Sequence, residues 1–208
     1  MPPTRYVLDA CILMSGVLRP ALLDLAELGW FQPIWSERIG IEWRRNAARI
    51  WSVPADVLEA EWAAMQRRFP HADPGDVTPY LVGLRDSDAK DWHVIAAGLA
   101  ARARQPQHGA TVAVLTWNLK DFRRAELRRL GLELTDPDRI LCAWWTHNPA
   151  QVTEVLQRTL ADLAAAGRPR TGELTDVLRR ERLFRLARLV ENHQAAVATL
   201  PEPESLLT

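Results

Sequence analysis

The chain has 208 residues, of which 48% are hydrophobic and 25% are charged, and its formal net charge at pH 7 is zero. This composition is typical of a folded globular protein and excludes a disordered chain. The balanced charge also argues against a protein that binds nucleic acid through a large overall positive charge. Any nucleic-acid surface therefore requires arginines and lysines that are grouped locally.

Apolar runs and helix-capping residues predict alternating strands and helices up to about residue 147. In chain order the sequence predicts a strand at 6–8, a helix at 20–29, a strand at 30–35, helices at 36–50 and 54–69, a strand at 80–82, a helix at 91–104, a strand at 112–115, a helix at 122–130, a strand at 132–134 and a helix at 136–147. Such alternation is typical of a mainly parallel sheet covered by helices on both faces, which is a three-layer α/β/α fold.

The remaining sequence is purely helical in pattern. An apolar stripe predicts a helix from about 149 to Gly167, a Gly/Pro/Arg-rich linker follows at 167–172, and one more helix is predicted from Leu174 to about Ala198. We therefore expect two domains, an α/β domain at 1–147 and a helical extension at 148–208.

Polar side chains follow the predicted strands at the points where ligands bind in parallel α/β sheets, the carboxyl ends of the strands. These residues are Asp9, Glu42, Asp88, Asp91, Asn118 and Asp121. Carboxylates gathered in one cleft repel one another and need a cation, and a set of oxygen ligands suits Mg²⁺ or Mn²⁺. Such an ion can activate a bound water and neutralise charge on a phosphodiester. The spacing therefore suggests metal-assisted phosphodiester hydrolysis.

Four segments contain these residues: YVLDACIL with Asp9, SERIGIEW with Glu42, DAKDWHVIAA with Asp91 and LTWNLKDF with Asn118. In this order and in these strand–helix contexts they resemble the four signatures of the PIN-domain nucleases. That family includes the VapC-like ribonuclease toxins of bacterial toxin–antitoxin pairs. The resemblance covers roughly residues 5–145.

The resemblance implies a PIN-like fold and assigns the main catalytic and metal-binding acids to Asp9, Glu42 and Asp91. Asn118 stands at the fourth position, which usually holds an acid, so Asp121 or Asp88 is expected to supply the missing charge. Three further residues are expected to contact substrate: Thr116, Arg45 and Lys120. The implied activity is Mg²⁺- or Mn²⁺-dependent endoribonuclease cleavage that leaves a 5′-phosphate.

The resemblance also implies an RNA substrate, a cognate antitoxin protein and a homodimer. Two widely separated cysteines, Cys11 and Cys142, favour a reducing compartment, and no stretch of sequence is typical of a membrane span, so we expect a cytoplasmic location. Because the Asn118 side chain is uncharged where the family usually has an acid, an alternative remains open, namely a PIN-like module that binds RNA or protein without cleaving. A phosphotransferase that uses Asp9 as nucleophile is disfavoured, because Cys11 occupies the position of the second aspartate that such enzymes need.

Individual residues also have simpler readings. Asp9 and Asp88 could cap helices, and Glu42 could be a surface acid paired with Arg38 or Arg45. His93 is expected to be a packed or solvated helix residue, because it points about 200° around the helix from Asp91.

Overall fold

The computed structural model describes residues 4–104, 111–167 and 172–198. The chain forms two compact units, 1–137 and 138–208. The first unit contains an α/β fold and the second contains helices. Residues 168–171 of the predicted linker lie outside the described residues.

A four-stranded parallel sheet forms the centre of the first unit. Its strands are β1 (Arg5–Leu8), β2 (Gln32–Ile34), β3 (Val112–Leu115) and β4 (Glu133–Thr135), in the spatial order β2-β1-β3-β4. In the register of the sheet, Val7 of β1 lies opposite Ile34 on one side and Val114 on the other. All four residues of β3 are buried and apolar, as expected for an inner strand of a parallel sheet. The prediction of a parallel α/β fold is confirmed.

Six helices complete the first unit in the described residues: α1 (Ala10–Leu13), α2 (Leu18–Glu27), α3 (Glu37–Trp51), α4 (Ala55–Arg68), α5 (Trp92–Arg104) and α6 (Arg124–Arg129). The predicted cap of α3 is present, since the Ser36 hydroxyl accepts the Ile39 N–H. Helix α5 packs on β1, β2 and β3. At Gly98 a methyl group would lie 3.2 Å from a Leu132 methyl and 3.3 Å from a Val7 methyl, so glycine permits this close approach.

The predicted strand at 80–82 is wrong. Thr78–Leu81 form a single turn of 3₁₀ helix, in which Pro79 occupies one of the first helical positions. Gly83 follows with φ of +89°, and Val82 is 86% exposed. Three apolar residues are too short a run to distinguish a strand from a turn by periodicity, and the adjacent proline favours the helical turn.

The helical unit begins earlier than the predicted boundary at 147/148. Its helices are α7 (Pro137–His147), α8 (Pro149–Ala165), α9 (Leu174–Arg180) and α10 (Phe184–Ala198). Asp138, at the start of α7, is buried, and its carboxylate accepts the backbone N–H groups of Arg185 and Leu186, each at 3.0 Å. These bonds tie α7 to α10, which explains why α7 belongs with the helical unit.

The prediction of one continuous helix from Leu174 to Ala198 is also wrong. The chain interrupts the helix between α9 and α10, where Arg182 adopts a left-handed conformation with φ of 63°. The Leu183 N–H donates to the Leu178 carbonyl at 2.8 Å, which closes the end of α9. Apolar spacing continues through the break, so the sequence pattern does not reveal it. In the described ranges, no helix combines the length and the apolar character that crossing a membrane requires.

Candidate functional site

Asp9 follows the last residue of β1 and lies at the carboxyl edge of the sheet. Its backbone N–H donates to the Leu115 carbonyl at the end of β3, at 3.2 Å. Asp9 is 3% exposed, and its Oδ2 accepts hydrogen bonds from the Thr116 hydroxyl at 2.6 Å and from the Cys11 thiol at 3.1 Å. Two short side chains therefore fix the orientation of Asp9, and no side-chain bond from Asp9 caps the next helix.

Thr116 and Cys11 serve Asp9. Thr116 is completely buried, and its hydroxyl oxygen also accepts the Asn118 N–H at 2.9 Å. This burial does not agree with the substrate contact expected for Thr116, because the hydroxyl is committed to Asp9 and to the loop backbone. Burial, reinforced by the charge of Asp9, raises the pKa of the Cys11 thiol, so Cys11 keeps its proton and acts as a hydrogen-bond donor.

Asp91 lies at the end of a 3₁₀ turn, Ala89–Asp91, that leads directly into α5. The preceding residue Asp88 caps this turn, since its Oδ1 accepts the Lys90 N–H at 3.1 Å. Asp91 is 5% exposed, and its Oδ2 atom is buried with no hydrogen-bond partner among the described residues. An unsatisfied carboxylate oxygen is costly in a protein interior, so this atom calls for a ligand.

The electrostatic surroundings of Asp91 identify its neighbours. Burial raises its pKa to about 6, from an ordinary value of 3.8, and the negative charge of Asp9 is the largest contribution from another residue. The carboxylates of Asp121 and Glu42 raise the pKa further, whereas the ammonium of Lys90 lowers it. Four acids from four separate segments thus lie within electrostatic reach of one another at this edge of the sheet.

Lys90 is a cation at the acidic site that is not among the predicted site residues. Its Nζ lies 3.4 Å from Oδ2 of Asp88 and 3.4 Å from Oδ2 of Asp121. The lysine that the sequence analysis did select, Lys120, is exposed on the turn Leu119–Asp121 and does not line the groove described below. One feature of the sequence could have indicated Lys90, namely its position between two acids in the DAKD segment.

Glu42 projects from α3 toward α5, where it meets His93. His93 Nε2 lies 3.0 Å from Glu42 Oε2, without hydrogen-bond geometry. Glu42 therefore faces a histidine, and not Arg38 or Arg45, the pairing that the alternative interpretation of Glu42 predicts. The angle of about 200° between His93 and Asp91 around their helix describes α5 alone, so it could not predict which residue of α3 lies opposite His93.

An open groove of about 710 Å³ passes over this site. Asp91, Glu42 and Asn118 line it together with Lys90 and His93. Two arginines of α3, Arg38 and Arg45, and Trp92 are further parts of the lining. The groove therefore combines acids, which suit a cation, with basic and aromatic residues, which suit phosphates and bases.

The residues that could hold a metal ion are Asp9, Asp91, Glu42 and Asp121, with the Asn118 amide as a neutral ligand. Their oxygen atoms suit Mg²⁺ or Mn²⁺, and the unpartnered Asp91 oxygen fits that use. Within the described ranges, however, no group of three or more His, Cys, Asp or Glu side chains is already spaced to hold a metal ion. Binding would therefore require these side chains to move closer together.

Comparisons with protein-family models, with curated proteins and with solved structures found no match to this chain.

Proposed function

We propose that this protein is a metal-dependent endoribonuclease with a PIN-like, three-layer α/β/α fold. The observation that carries the proposal is Asp91, a buried carboxylate whose Oδ2 has no hydrogen-bond partner among the described residues and which has three further carboxylates nearby. Such a group costs stability in a protein interior, and a divalent cation compensates several carboxylates at once. The parallel sheet and the packing of α5 on it are compatible with the proposed fold.

The residues of this chain take distinct parts in the proposed reaction. Asp9, Glu42 and Asp91 would hold the ion, Asp121 would add charge, and Asn118 would contribute an amide oxygen. When bound, the ion supplies an activated water and neutralises charge that develops on the phosphodiester. Thr116 and Cys11 hold Asp9 in place through their hydrogen bonds to its Oδ2.

The substrate class we propose is single-stranded RNA, which the resemblance to VapC-like toxins implies. Arg38, Arg45 and Trp92 line the groove, where the arginines would contact backbone phosphates and the tryptophan would stack on a base. The four-segment resemblance to VapC-like toxins favours a toxin neutralised by an antitoxin protein, acting as a homodimer in the cytoplasm.

The direct test is the cleavage of a fluorescent single-stranded RNA by the purified protein. We expect cleavage with Mn²⁺ or Mg²⁺, none with EDTA, and 5′-phosphate ends on the products. The variant Asp9→Asn should be inactive, whereas Asp56→Asn, a change at an exposed acid of α4, should retain activity. RNA left intact by the wild type with either metal, or full activity of Asp9→Asn, would contradict the proposal.

The toxin role has its own test in cells. Induced expression of the wild-type chain should arrest bacterial growth, and Asp91→Asn should not. Co-expression of the protein encoded by the adjacent reading frame should restore growth. Arrest that persists with Asp91→Asn would show that toxicity does not depend on the proposed catalytic site.

A second function, RNA or protein binding without cleavage, is favoured by two observations. Lys90 already neutralises part of the acidic cluster, and Asn118 brings no charge to the fourth position. In that case the wild type would bind RNA with an affinity that EDTA does not change, and it would produce no new 5′-phosphates.

A further inference from the structure

Arg5, the first residue of β1, is a buried cation at the opposite, amino edge of the sheet. It is 5% exposed, and Nη1 donates to the Ala101 carbonyl in the last turn of α5 at 2.7 Å. Its Nε is buried and has no hydrogen-bond partner among the described residues. Burial lowers the pKa of the guanidinium, in the direction that disfavours its charge.

Arg5 forms no ion pair with any acid in the described ranges. The helix-end carbonyl offers only the partial negative charge of a helix C-terminus, about half an elementary charge. Residues 1–3 and 105–110, which precede Arg5 and follow Arg104 in the sequence, contain no Asp or Glu. A buried arginine without a carboxylate calls for an anion from outside the chain.

A cavity of about 500 Å³ lies beside Arg5. This volume is within the range of small-molecule sites, roughly 300–1,000 Å³. Arg104 also lines the cavity, and its Nη1 donates to the Asp73 carbonyl at 2.6 Å without an ion pair to any described acid. A third arginine, Arg68, pairs with both Asp24 and Glu27. Arg5 and Arg104 are thus the two cavity arginines without an acid partner among the described residues.

The rest of the cavity mixes polar side chains, Gln32 and His71, with an apolar group. The rings of Phe31 and Phe69 line it, together with Pro33 and Pro70. Such surfaces favour a flat hydrocarbon body over a hydrated inorganic ion, because the body removes apolar area from water and can pack against the rings. The cavity thus has a cationic part and an aromatic part.

We propose that this amino-edge cavity, formed by Arg5, Arg104, Phe31 and Phe69 with the two prolines, binds a small aromatic anion. The carboxylate or phosphate of the ligand would contact Arg5 and Arg104, and its ring would pack between Phe31 and Phe69. The site is separate from the acidic groove, and the proposal does not depend on the nuclease activity.

Isothermal titration calorimetry in EDTA at low ionic strength tests the proposal. The probes are benzoate and phenyl phosphate, which separate a carboxylate from a phosphate head, with benzyl alcohol as the neutral match and inorganic phosphate as the head alone. We expect saturable binding of at least one aromatic anion, and at least ten-fold weaker binding of benzyl alcohol and of inorganic phosphate. Failure of both aromatic anions to bind at concentrations up to about 10 mM would overturn the proposal.

Variants locate the binding. Arg104→Gln, at an exposed position, should weaken binding of the aromatic anion about ten-fold, because it removes one charge-assisted hydrogen bond. Its matched control is Arg102→Gln on the same helix, since Arg102 is exposed and donates to the Leu130 carbonyl but does not line the cavity. Equal affinities of these two variants would contradict the assignment. Phe69→Leu, which keeps an apolar side chain, should weaken the binding of the aromatic anions and leave the binding of inorganic phosphate unchanged. An unchanged affinity of this variant for the aromatic anions would also contradict the assignment.

Discussion

The two edges of the parallel sheet contain buried charges of opposite sign. At the carboxyl edge, Asp91 lies among other acids and its Oδ2 has no hydrogen-bond partner in the part of the chain that the structure describes, and Asp9 lies directly after β1. At the amino edge, Arg5 begins the same strand and has no carboxylate partner among the described residues. One four-residue strand therefore connects a site suited to a cation with a site suited to an anion.

The comparison shows how such charges differ from structural ones. Glu126 is also a buried acid of this unit, but its carboxylate accepts the N–H groups of Arg85, Asp86 and Ser87 at 3.0, 3.2 and 2.8 Å. Burial alone would raise the pKa of Glu126, and these hydrogen bonds lower it instead. Full satisfaction of a buried charge indicates a structural role, and an unsatisfied one indicates a place for a ligand.

The largest expected effect is on catalysis at the carboxyl edge. Asp91→Asn should reduce the rate of Mn²⁺-dependent RNA cleavage by more than about 100-fold, because loss of a group that only orients metal ligands already costs roughly 10–100-fold. Steady-state cleavage of a fluorescent RNA measures the rate, and Asp56→Asn is the matched control. A reduction of less than about ten-fold would remove Asp91 from the metal site.

The next largest effect is expected on stability, at the structural acid Glu126. Glu126→Gln should lower the free energy of unfolding by about 1.5–3 kcal/mol, since hydrogen bonds to a charged acceptor are lost or weakened. Urea denaturation at neutral pH measures it, with Glu133→Gln at an exposed position as the control. An unchanged free energy of unfolding would mean that the loop of residues 85–87 does not need the charge, and the contrast with Asp91 would fail.

Removal of the Asp91 charge should have the opposite effect on stability. Because the pKa of Asp91 is raised to about 6 in the folded state, from 3.8, the folded protein keeps a proton there that the unfolded chain has released. The wild type therefore loses stability as the pH rises between these values, and the cost remains at higher pH. In EDTA, Asp91→Asn should be more stable than the wild type at pH about 7.5, and this advantage should disappear near pH 4.

Urea denaturation at both pH values measures this difference. Saturating Mn²⁺ should reverse its sign at the higher pH, because the ion binds the folded wild type and stabilises it. If Asp91→Asn is less stable than the wild type in EDTA, then Asp91 is a satisfied structural acid like Glu126.

The smallest expected effect comes from Lys90. Lys90→Met removes an ammonium that competes with an added cation for Asp88, Asp121 and Asp91, so Mn²⁺ should bind a few-fold more tightly. Calorimetric titration with Mn²⁺ measures the affinity, and Lys120→Met, on the neighbouring turn, is the control. Weaker binding by Lys90→Met would show that the lysine supports the site rather than competing for it.

The sequence predicted the parallel sheet because its strands are apolar runs with clear ends, and the carboxyl-end rule then placed Asp9, Asp91 and Asn118 at one edge. Periodicity failed where a short run was ambiguous, at 80–82, and where an apolar stripe continued through a backbone break, at Arg182. Contacts between distant elements had no local signal. The pairing of His93 with Glu42 depends on which helices face each other, and Arg5 and Arg104 come together only in the folded chain.

Location of the cation in a crystal soaked with Mn²⁺ tests the central claim most directly. We predict an anomalous scattering peak at the carboxyl edge of the sheet, about 2.1 Å from carboxylate oxygens of Asp9 and Asp91, the spacing typical of small divalent ions. A map with no peak at this edge under saturating Mn²⁺, or with the Lys90 ammonium in its place, would contradict the account.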